Sequence, residues 1–152
     1  MAGKRSSMKI VLVTGGFDPL HSGHIEYFRS AKSLGDQLIV GLNSDEWLAR
    51  KKGQPFMPLS ERRIIVGNLK DVTATIVYND DNGSSCKAIE QLLLHCSPDD
   101  ELIFANGGDR TKENIPEMSI TDSRVKFMFG VGGENKINSS SWILRQWDKW
   151  KN

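Results

Sequence analysis

The sequence predicts a single-domain α/β protein in which a doubly wound sheet of five parallel strands carries helices on its faces. Apolar or β-branched runs of strand length alternate with segments of helical pattern, the order expected of strand–helix–strand units. The first run, Ile10-Val11-Leu12-Val13, is apolar throughout, as in strands that are buried on both faces. The expected strand order is 3-2-1-4-5, so the order reverses between strands 1 and 4, where sheets of this kind bind ligands.

Each strand and helix has a local sequence signal. The strands are apolar or β-branched runs, and in chain order they cover residues 10–13, 36–42, 73–78, 101–105 and 125–129. The helices show apolar residues three and four apart, and they cover residues 21–34, 45–50, 61–69, 85–96 and 139 onward. Residues 43–45, Ser60 and Ser139 are expected to cap three helix starts, and Gly35 is expected to end the first helix. Residues 51–58 are expected to form a surface loop, and 111–122 a loop or short helix.

The last predicted helix has an aromatic face. Ile143, Trp147 and Trp150 fall at i, i+4 and i+7, so they lie on one side of the helix. A stripe of this kind is expected to pack on the sheet or on a second subunit rather than to contact a ligand. Because apolar surface of this size often marks an interface, a homodimer is expected.

Composition limits the class of protein. A chain of 152 residues fits one domain with a substantial core, here residues 8–152, and the polar residues 1–7 are expected to be a disordered extension. No apolar run approaches the ~20 residues needed to span a bilayer, and the net charge of +1 implies no bulk attraction to nucleic acid or membrane. Cys86 and Cys96 lie ten apart in one predicted helix, too far for a disulfide, so free thiols and a cytoplasmic location are expected.

Three loops rich in glycine or serine are predicted at the carboxyl edge of the sheet, beside the reversal of strand order: residues 14–24, 106–110 and 130–141. A glycine turn between a strand and a helix presents free backbone N–H groups and a positive helix end, which suit phosphate. In the first of these loops His21 and His24 are three residues apart in a first helical turn, so they can point at one ligand.

The pattern Gly-x-Phe-Asp-x-x-His-x-Gly-His at residues 15–24 directly follows the first strand. In this pattern, and over most of the chain from Lys9 to Leu144, the sequence resembles the nucleotidyltransferases of the cytidylyltransferase-like superfamily, which have a Rossmann-like fold. The resemblance implies that His21 and His24 are catalytic and contact the triphosphate and the transition state. It further implies that residues around them hold phosphate (Thr14, Gly16, Phe17 and Gly23) or orient the acceptor (Asp18).

The segment at residues 51–62, KKGQPFMPLSER, resembles the family's lysine loop, which covers the β- and γ-phosphates. Of its two lysines, Lys52 before Gly53 is the better match and is expected to be catalytic. Arg62 matches an arginine that follows this loop in relatives and is expected to bind the nucleotide, although an exposed helix arginine is the alternative.

The remaining predicted contacts come from the later loops. The hydroxyl and amide groups of Ser139, Ser140 and Ser141 are expected to bind the β- and γ-phosphates, or simply to cap the last helix. Gly107-Gly108-Asp109 resembles the turn of heptose-phosphate nucleotidyltransferases, which use ATP, and Gly108 and Asp109 are expected to bind the nucleotide. Glycerol-phosphate relatives, which use CTP, carry Arg-Thr-Glu-Gly where this chain has Glu-Asn-Lys-Ile at 134–137. Arg110 is expected to help shape the acceptor pocket.

These features predict an enzyme that transfers CMP from CTP to a phosphorylated small molecule, a polyol or sugar phosphate, and releases pyrophosphate. One alternative is transfer of AMP from ATP to a sugar 1-phosphate such as a heptose phosphate, and another is a nucleotide-binding module without turnover. A fragment of an aminoacyl-tRNA synthetase is a third, but the chain lacks the length and basic surface that tRNA demands. Mg²⁺ is expected to be carried by the nucleotide, since no carboxylate cage for a metal is evident. No nucleic-acid or membrane partner is predicted.

Overall fold

One parallel sheet organises the molecule. A computed structural model describes residues 7–108, 110–133 and 139–151, so residues 1–6 of the predicted extension at 1–7 lie outside them. The strands, in the order β3-β2-β1-β4-β5 across the sheet, are β1 (Lys9–Gly15), β2 (Gln37–Leu42), β3 (Ala74–Val77), β4 (Glu101–Ala105) and β5 (Val125–Met128). Every neighbouring pair is parallel. The predicted fold class and strand order are therefore confirmed, and the order reverses between β1 and β4.

Five helices and one 3-10 turn connect the strands. They are α1 (Ser22–Lys32), α2 (Asp45–Lys52), α3 (Leu59–Gly67), α4 (Cys86–Leu93) and α5 (Ser140–Lys151), with the 3-10 turn at Pro116–Ser119. Within the described ranges, none of these helices has both the length and the apolarity to cross a bilayer.

The central strand β1 is buried on both faces, as its apolar run predicts. Successive side chains of a strand point to opposite faces. Val11 and Val13 pack on one side of the sheet with Phe28 of α1. Leu12 packs on the other side with Ile89 of α4, and all five side chains are at most 1% exposed. This double cover fixes the register of β1 and so the position of the turn that follows it.

The segment around α3 differs from the prediction. The helix begins at Leu59 after Pro58, with no side-chain cap, so the expected cap by Ser60 is wrong. The carboxylate of Asp45, the first residue of α2, accepts the N–H of Leu59 at 2.9 Å instead. A tertiary contact thus takes the place of the local cap. The helix α2 also runs on to Lys52, two residues beyond its predicted end.

The C-terminal helix does not bury its aromatic face. Trp147 is 49% and Trp150 is 78% exposed, and their ring centroids lie 5.3 Å apart. The expectation that they pack on the sheet is wrong, because the periodicity marks an apolar face without saying what covers it. Packing on a second subunit stays a prediction.

The cysteines do not share one helix, because α4 ends at Leu93 and Cys96 lies beyond it. Within the described part of the chain, Cys86 and Cys96 both carry thiols and form no disulfide.

Candidate active site

A cleft of about 1000 Å³ opens at the carboxyl ends of β1 and β4, where the strand order reverses. Its walls are the turn after β1, the first turn of α1, the end of α2, the loops after β4 and β5, and the start of α5. Most of the predicted site residues line it: Thr14, Gly16, Phe17, Asp18, His21, Gly23, His24, Lys52, Gly108, Arg110, Ser139, Ser140 and Ser141. Arg62 does not, and Asp109 lies outside the described residues.

The turn after β1 is tightly packed. Phe17 has a positive φ of 52° and a buried ring that meets the rings of His24 and Phe28 edge-on, with centroids 5.0 and 5.1 Å away. A Cβ on Gly15 would come within 2.9 Å of the Phe17 ring, and a Cβ on Gly16 within 2.8 Å of Leu48. Both glycines are therefore needed for the turn to pass between these side chains. The Phe17 ring packs against the His24 ring and helps to fix its position.

The two histidines cap the start of α1 with their own side chains. The N–H of Gly23 donates to Nδ1 of His21 at 3.0 Å, and the N–H of His21 donates to Nδ1 of His24 at 3.2 Å. Because each Nδ1 accepts a hydrogen bond, the proton of the neutral ring resides on Nε2. The rings are stacked, with centroids 3.8 Å apart. Each neutral ring therefore carries its N–H group at Nε2, and both residues line the cleft.

The environment of His24 keeps its ring uncharged. Burial, followed by the neighbouring charge of His21, lowers the pKa of His24 from 6.5 to about 3. At neutral pH His24 is therefore an uncharged hydrogen-bond donor and not a cation.

The carboxylate of Asp18 is bound by the segment around the end of α2 and after it. Its carboxylate is buried and accepts the backbone N–H groups of Phe56 and Met57 at 2.6 and 2.7 Å. Lys52 forms an ion pair with the same carboxylate at 2.9 Å. Asp18 therefore anchors the segment after α2 to the turn after β1, and its predicted contact with the acceptor stays a prediction.

Of the two lysines, Lys52 is paired with Asp18, whereas Lys51, the weaker match to the family's lysine loop, is not. Its ammonium lies 4.8 Å from the centre of the Trp47 ring and lines the cleft. Burial, Arg110 and Lys52 all lower the pKa of Lys51. Neither Lys51 nor Arg110 forms an ion pair with a carboxylate of the described residues. Among the described residues that line the cleft, Lys51 and Arg110 thus add positive charge, which favours an anion.

The start of α5 faces the same cleft as the start of α1. Ser139 caps α5, since its hydroxyl accepts the N–H of Trp142 at 3.0 Å. The hydroxyl of Ser140 donates to the carbonyl of Pro19 at 2.8 Å and so joins α5 to the turn after β1. Ser141 is exposed at the cleft. Two helix N-termini therefore present their positive ends to one space, which is the arrangement expected of a polyphosphate site.

The loop after β4 rests on Tyr27, a residue that sequence reasoning missed. The Tyr27 hydroxyl donates to the carbonyl of Ala105 at 2.9 Å, and burial raises the pKa of the Tyr27 hydroxyl, so it remains a neutral donor. A Cβ on Gly107 would lie 3.1 Å from the Tyr27 ring, and Gly108 has a φ of +64°. Because Gly107 has no side chain, the loop can pack closely against Tyr27 of the first helix.

Arg62 is buried and hydrogen-bonded inside the protein. Its side chain is 0% exposed and makes hydrogen bonds to the carbonyls of Gly16, Asn43 and Met57 at 2.8–3.0 Å, together with an ion pair to Asp45 at 2.8 Å. Arg62 is therefore not the exposed helix arginine of the alternative, and its predicted contact with the nucleotide stays a prediction. Arg62 is a positioning residue, because it ties the turn after β1 to the residue that follows β2, to the start of α2 and to the loop before α3.

Thr14 is also engaged inside the protein, since its hydroxyl lies 2.7 Å from that of Ser85. Among the described residues, no group of three or more histidines, cysteines or acidic side chains converges as a metal site would require.

Comparison with known proteins is consistent with this geometry. A family model described as cytidylyltransferase-like matches residues 12–133. The chain is 34% identical over 149 residues to the bifunctional protein HldE of Geobacter metallireducens, and 37% identical over 128 residues to HldE of Hahella chejuensis. These matches cover 95% and 83% of this chain but only 29% and 24% of the relatives, so the chain corresponds to a minor part of their length.

A solved structure shares the fold. The lipopolysaccharide core biosynthesis protein from Thermoplasma volcanium superposes with a TM-score of 0.62 at 26% identity, covering 87% of this chain and 100% of that protein.

Proposed function

Because this chain belongs to the cytidylyltransferase-like family of nucleotidyltransferases, we propose that it transfers the adenylyl group of ATP to the phosphate of a sugar phosphate and releases pyrophosphate. The observation that carries the proposal is the stacked pair His21 and His24, which faces the same cleft as the start of α5 and the end of α2. Hydrogen-bond donors and positive charge thus surround one space large enough for a nucleotide and a second substrate.

The proposed reaction is a direct displacement at phosphorus. An oxygen of the acceptor phosphate attacks the α-phosphorus of ATP, the bond from that phosphorus to the bridging oxygen breaks, and the electron pair leaves with pyrophosphate. Since a phosphate acceptor is already anionic at neutral pH, no general base is needed. The Nε2–H groups of His21 and His24 stabilise the charge that develops on the α-phosphate, and the start of α5 stabilises the pyrophosphate.

ATP is proposed over CTP on two grounds. The Gly-Gly turn after β4 resembles that of heptose-phosphate nucleotidyltransferases, and the Arg-Thr-Glu-Gly stretch of the CTP-dependent relatives is absent from the sequence at 134–137. The sugar phosphate is supported by the similarity to a lipopolysaccharide core biosynthesis protein, because a polysaccharide is assembled from sugars. Transfer of CMP from CTP stays the competing prediction.

We propose that Mg²⁺ enters bound to the triphosphate. The positively charged cleft and the fully engaged carboxylate of Asp18 suit a metal held by phosphate oxygens and not by protein carboxylates. When bound, the ion supplies charge neutralisation at the leaving pyrophosphate.

Thermal stabilisation tests the donor. With Mg²⁺ present, ATP is expected to raise Tm more than CTP at equal concentration, because a ligand at 100 times its Kd adds about 2.7 kcal/mol of stability. Pyrophosphate release is then measured with ATP or CTP against hexose and heptose 1-phosphates and glycerol 3-phosphate. Stabilisation and turnover with CTP alone would replace the proposal by CMP transfer. Binding without pyrophosphate release from any pair would indicate a nucleotide-binding module.

Lys52→Ala tests the lysine at the end of α2. Its removal is expected to raise the ATP KM about tenfold, because an ion pair to phosphate is lost. The exposed Lys70→Ala is the matched control and should leave KM unchanged. An unchanged ATP KM and kcat in Lys52→Ala would remove this lysine from the site and leave it only the structural pair with Asp18.

A further inference from the structure

A second, smaller pocket of about 400 Å³ opens beside the cleft and has no role in the reaction described so far. Its walls are Trp47, Arg50 and Lys51 of α2 and the turn Asp81-Asn82-Gly83 after β3. Trp47 and Lys51 line the main cleft as well. The two spaces are therefore neighbours that share one wall, and we call the smaller one the side pocket.

The position of the side pocket fits the acceptor better than the nucleotide. It lies over β2 and β3, because α2 follows β2 and the turn at 81–83 follows β3. The loops after β4 and β5, which are proposed to hold the nucleotide, lie on the other side of β1. A molecule that enters the cleft from the α2 side would pass Trp47 and Lys51 before it meets the two histidines.

The side pocket is held in place by a buried carboxylate. Asp80 is 2% exposed and accepts hydrogen bonds from the hydroxyl and the N–H of Ser44 at 2.7 and 2.8 Å, and from the side-chain amide of Asn43 at 3.2 Å. These bonds fasten the turn after β3 to the start of α2. Because both walls are fixed to each other, the side pocket exists before any ligand binds.

Its chemistry is that of a site for hydroxyl groups. Asp81 is exposed, and its carboxylate makes no hydrogen bond or ion pair with another described residue. The side-chain oxygen of Asn82 is occupied by Ser84, which leaves its NH₂ group as a donor. The half-buried ring of Trp47 adds an apolar face. A carboxylate, an amide donor and an aromatic face together match the hydroxyl groups and C–H face of a polyol or sugar.

From these contacts we propose that the side pocket holds the hydroxylated end of the phosphorylated acceptor, with Asp81 and Trp47 as specificity-determining residues. Lys51 and Arg110 hold the phosphate of the same molecule inside the main cleft. The inference rests on the proposed function, since it assigns the acceptor of that reaction to the wall shared by the two spaces. It also explains why Lys51 and Arg110 have no carboxylate partner among the described residues.

The test measures binding and turnover separately. Calorimetry on the nucleotide-free protein, and again with α,β-methylene-ATP, compares hexose and heptose 1-phosphates and glycerol 3-phosphate with inorganic phosphate. The best sugar or polyol phosphate is expected to bind at least about tenfold more tightly than inorganic phosphate, which one or two added hydrogen bonds supply. The ratio of the affinity for the sugar or polyol phosphate to the affinity for inorganic phosphate should fall below about threefold in Asp81→Asn and in Trp47→Leu. Trp47→Phe should retain most of this ratio.

Glu46→Gln is the matched control, because Glu46 is an exposed acid on the same helix that lines neither space. In turnover, Asp81→Asn should raise the acceptor KM about tenfold and leave the ATP KM within twofold. Sugar phosphates that bind no better than inorganic phosphate, or an advantage that survives in Asp81→Asn and Trp47→Leu, would overturn the inference. Tight, Asp81-dependent binding without pyrophosphate release would uphold the inference and refute the proposed function.

Discussion

Replacement of His24 by asparagine is expected to lower kcat about 10²- to 10³-fold and to leave the fold intact, since one preorganised donor at a developing charge contributes this much. The amide oxygen of asparagine reaches the position of Nδ1, so it can still accept the N–H of His21 and preserve the cap of α1. Asparagine has no group at the position of Nε2. The substitution therefore removes the donor that faces the cleft and little else.

His24→Gln is the complementary change. Its amide nitrogen reaches the region of Nε2, but it has no acceptor at the position of Nδ1, so the cap is lost. This variant is expected to retain more of kcat than His24→Asn and to lose about 1 kcal/mol of stability, the usual cost of a missing cap. The measurements are initial rates of pyrophosphate release at saturating substrates and urea unfolding of both variants. Wild-type kcat in His24→Asn would show that His24 is a cap alone.

The fold could be predicted because its signals are local. The apolar run of β1 specifies a strand that is buried on both faces, and Val11, Leu12 and Val13 alternate between the two cores as that run requires. The glycine turn and the paired histidines lie within ten residues of each other, so the sequence alone places them at one helix start. Right-handed crossover connections between the parallel strands then bring the later loops to the same edge of the sheet.

The features that were missed depend on distant partners. Adjacent residues of a helix point about 100° apart, so Lys51 and Lys52 face different neighbours, and only the tertiary structure shows that Asp18 holds Lys52. Trp147 and Trp150 form the predicted stripe, but helical periodicity shows only that one face is apolar and does not show what packs against it. The same holds for Arg62, whose acceptors include the carbonyl of Gly16, 46 residues earlier in the chain.

Arg62→Met is expected to be the most destabilising single change at the site, with a loss of about 3–5 kcal/mol. The substitution leaves the carbonyls of Gly16, Asn43 and Met57 without their donor, and each buried polar group that loses its partner costs about 1–3 kcal/mol. For a chain of this length the loss corresponds to a fall in Tm of about 10 °C. Lysine should not rescue stability, because a single ammonium group cannot reproduce the planar fork of the guanidinium.

The neighbouring Arg63 provides the control, since it lies on the same helix, is exposed and has a single hydrogen bond to the described residues, 3.3 Å to the hydroxyl of Thr75. Arg63→Met should change the free energy of unfolding by no more than about 0.5 kcal/mol. The measurements are urea unfolding at 25 °C and the ATP KM of both variants well below the Tm of Arg62→Met. If Arg62 bound the nucleotide directly, Arg62→Met would instead keep the stability of Arg63→Met and raise the ATP KM. The buried hydrogen bonds of Arg62 argue for the opposite pattern, in which stability falls first and nucleotide binding weakens only because the turn after β1 loses its support.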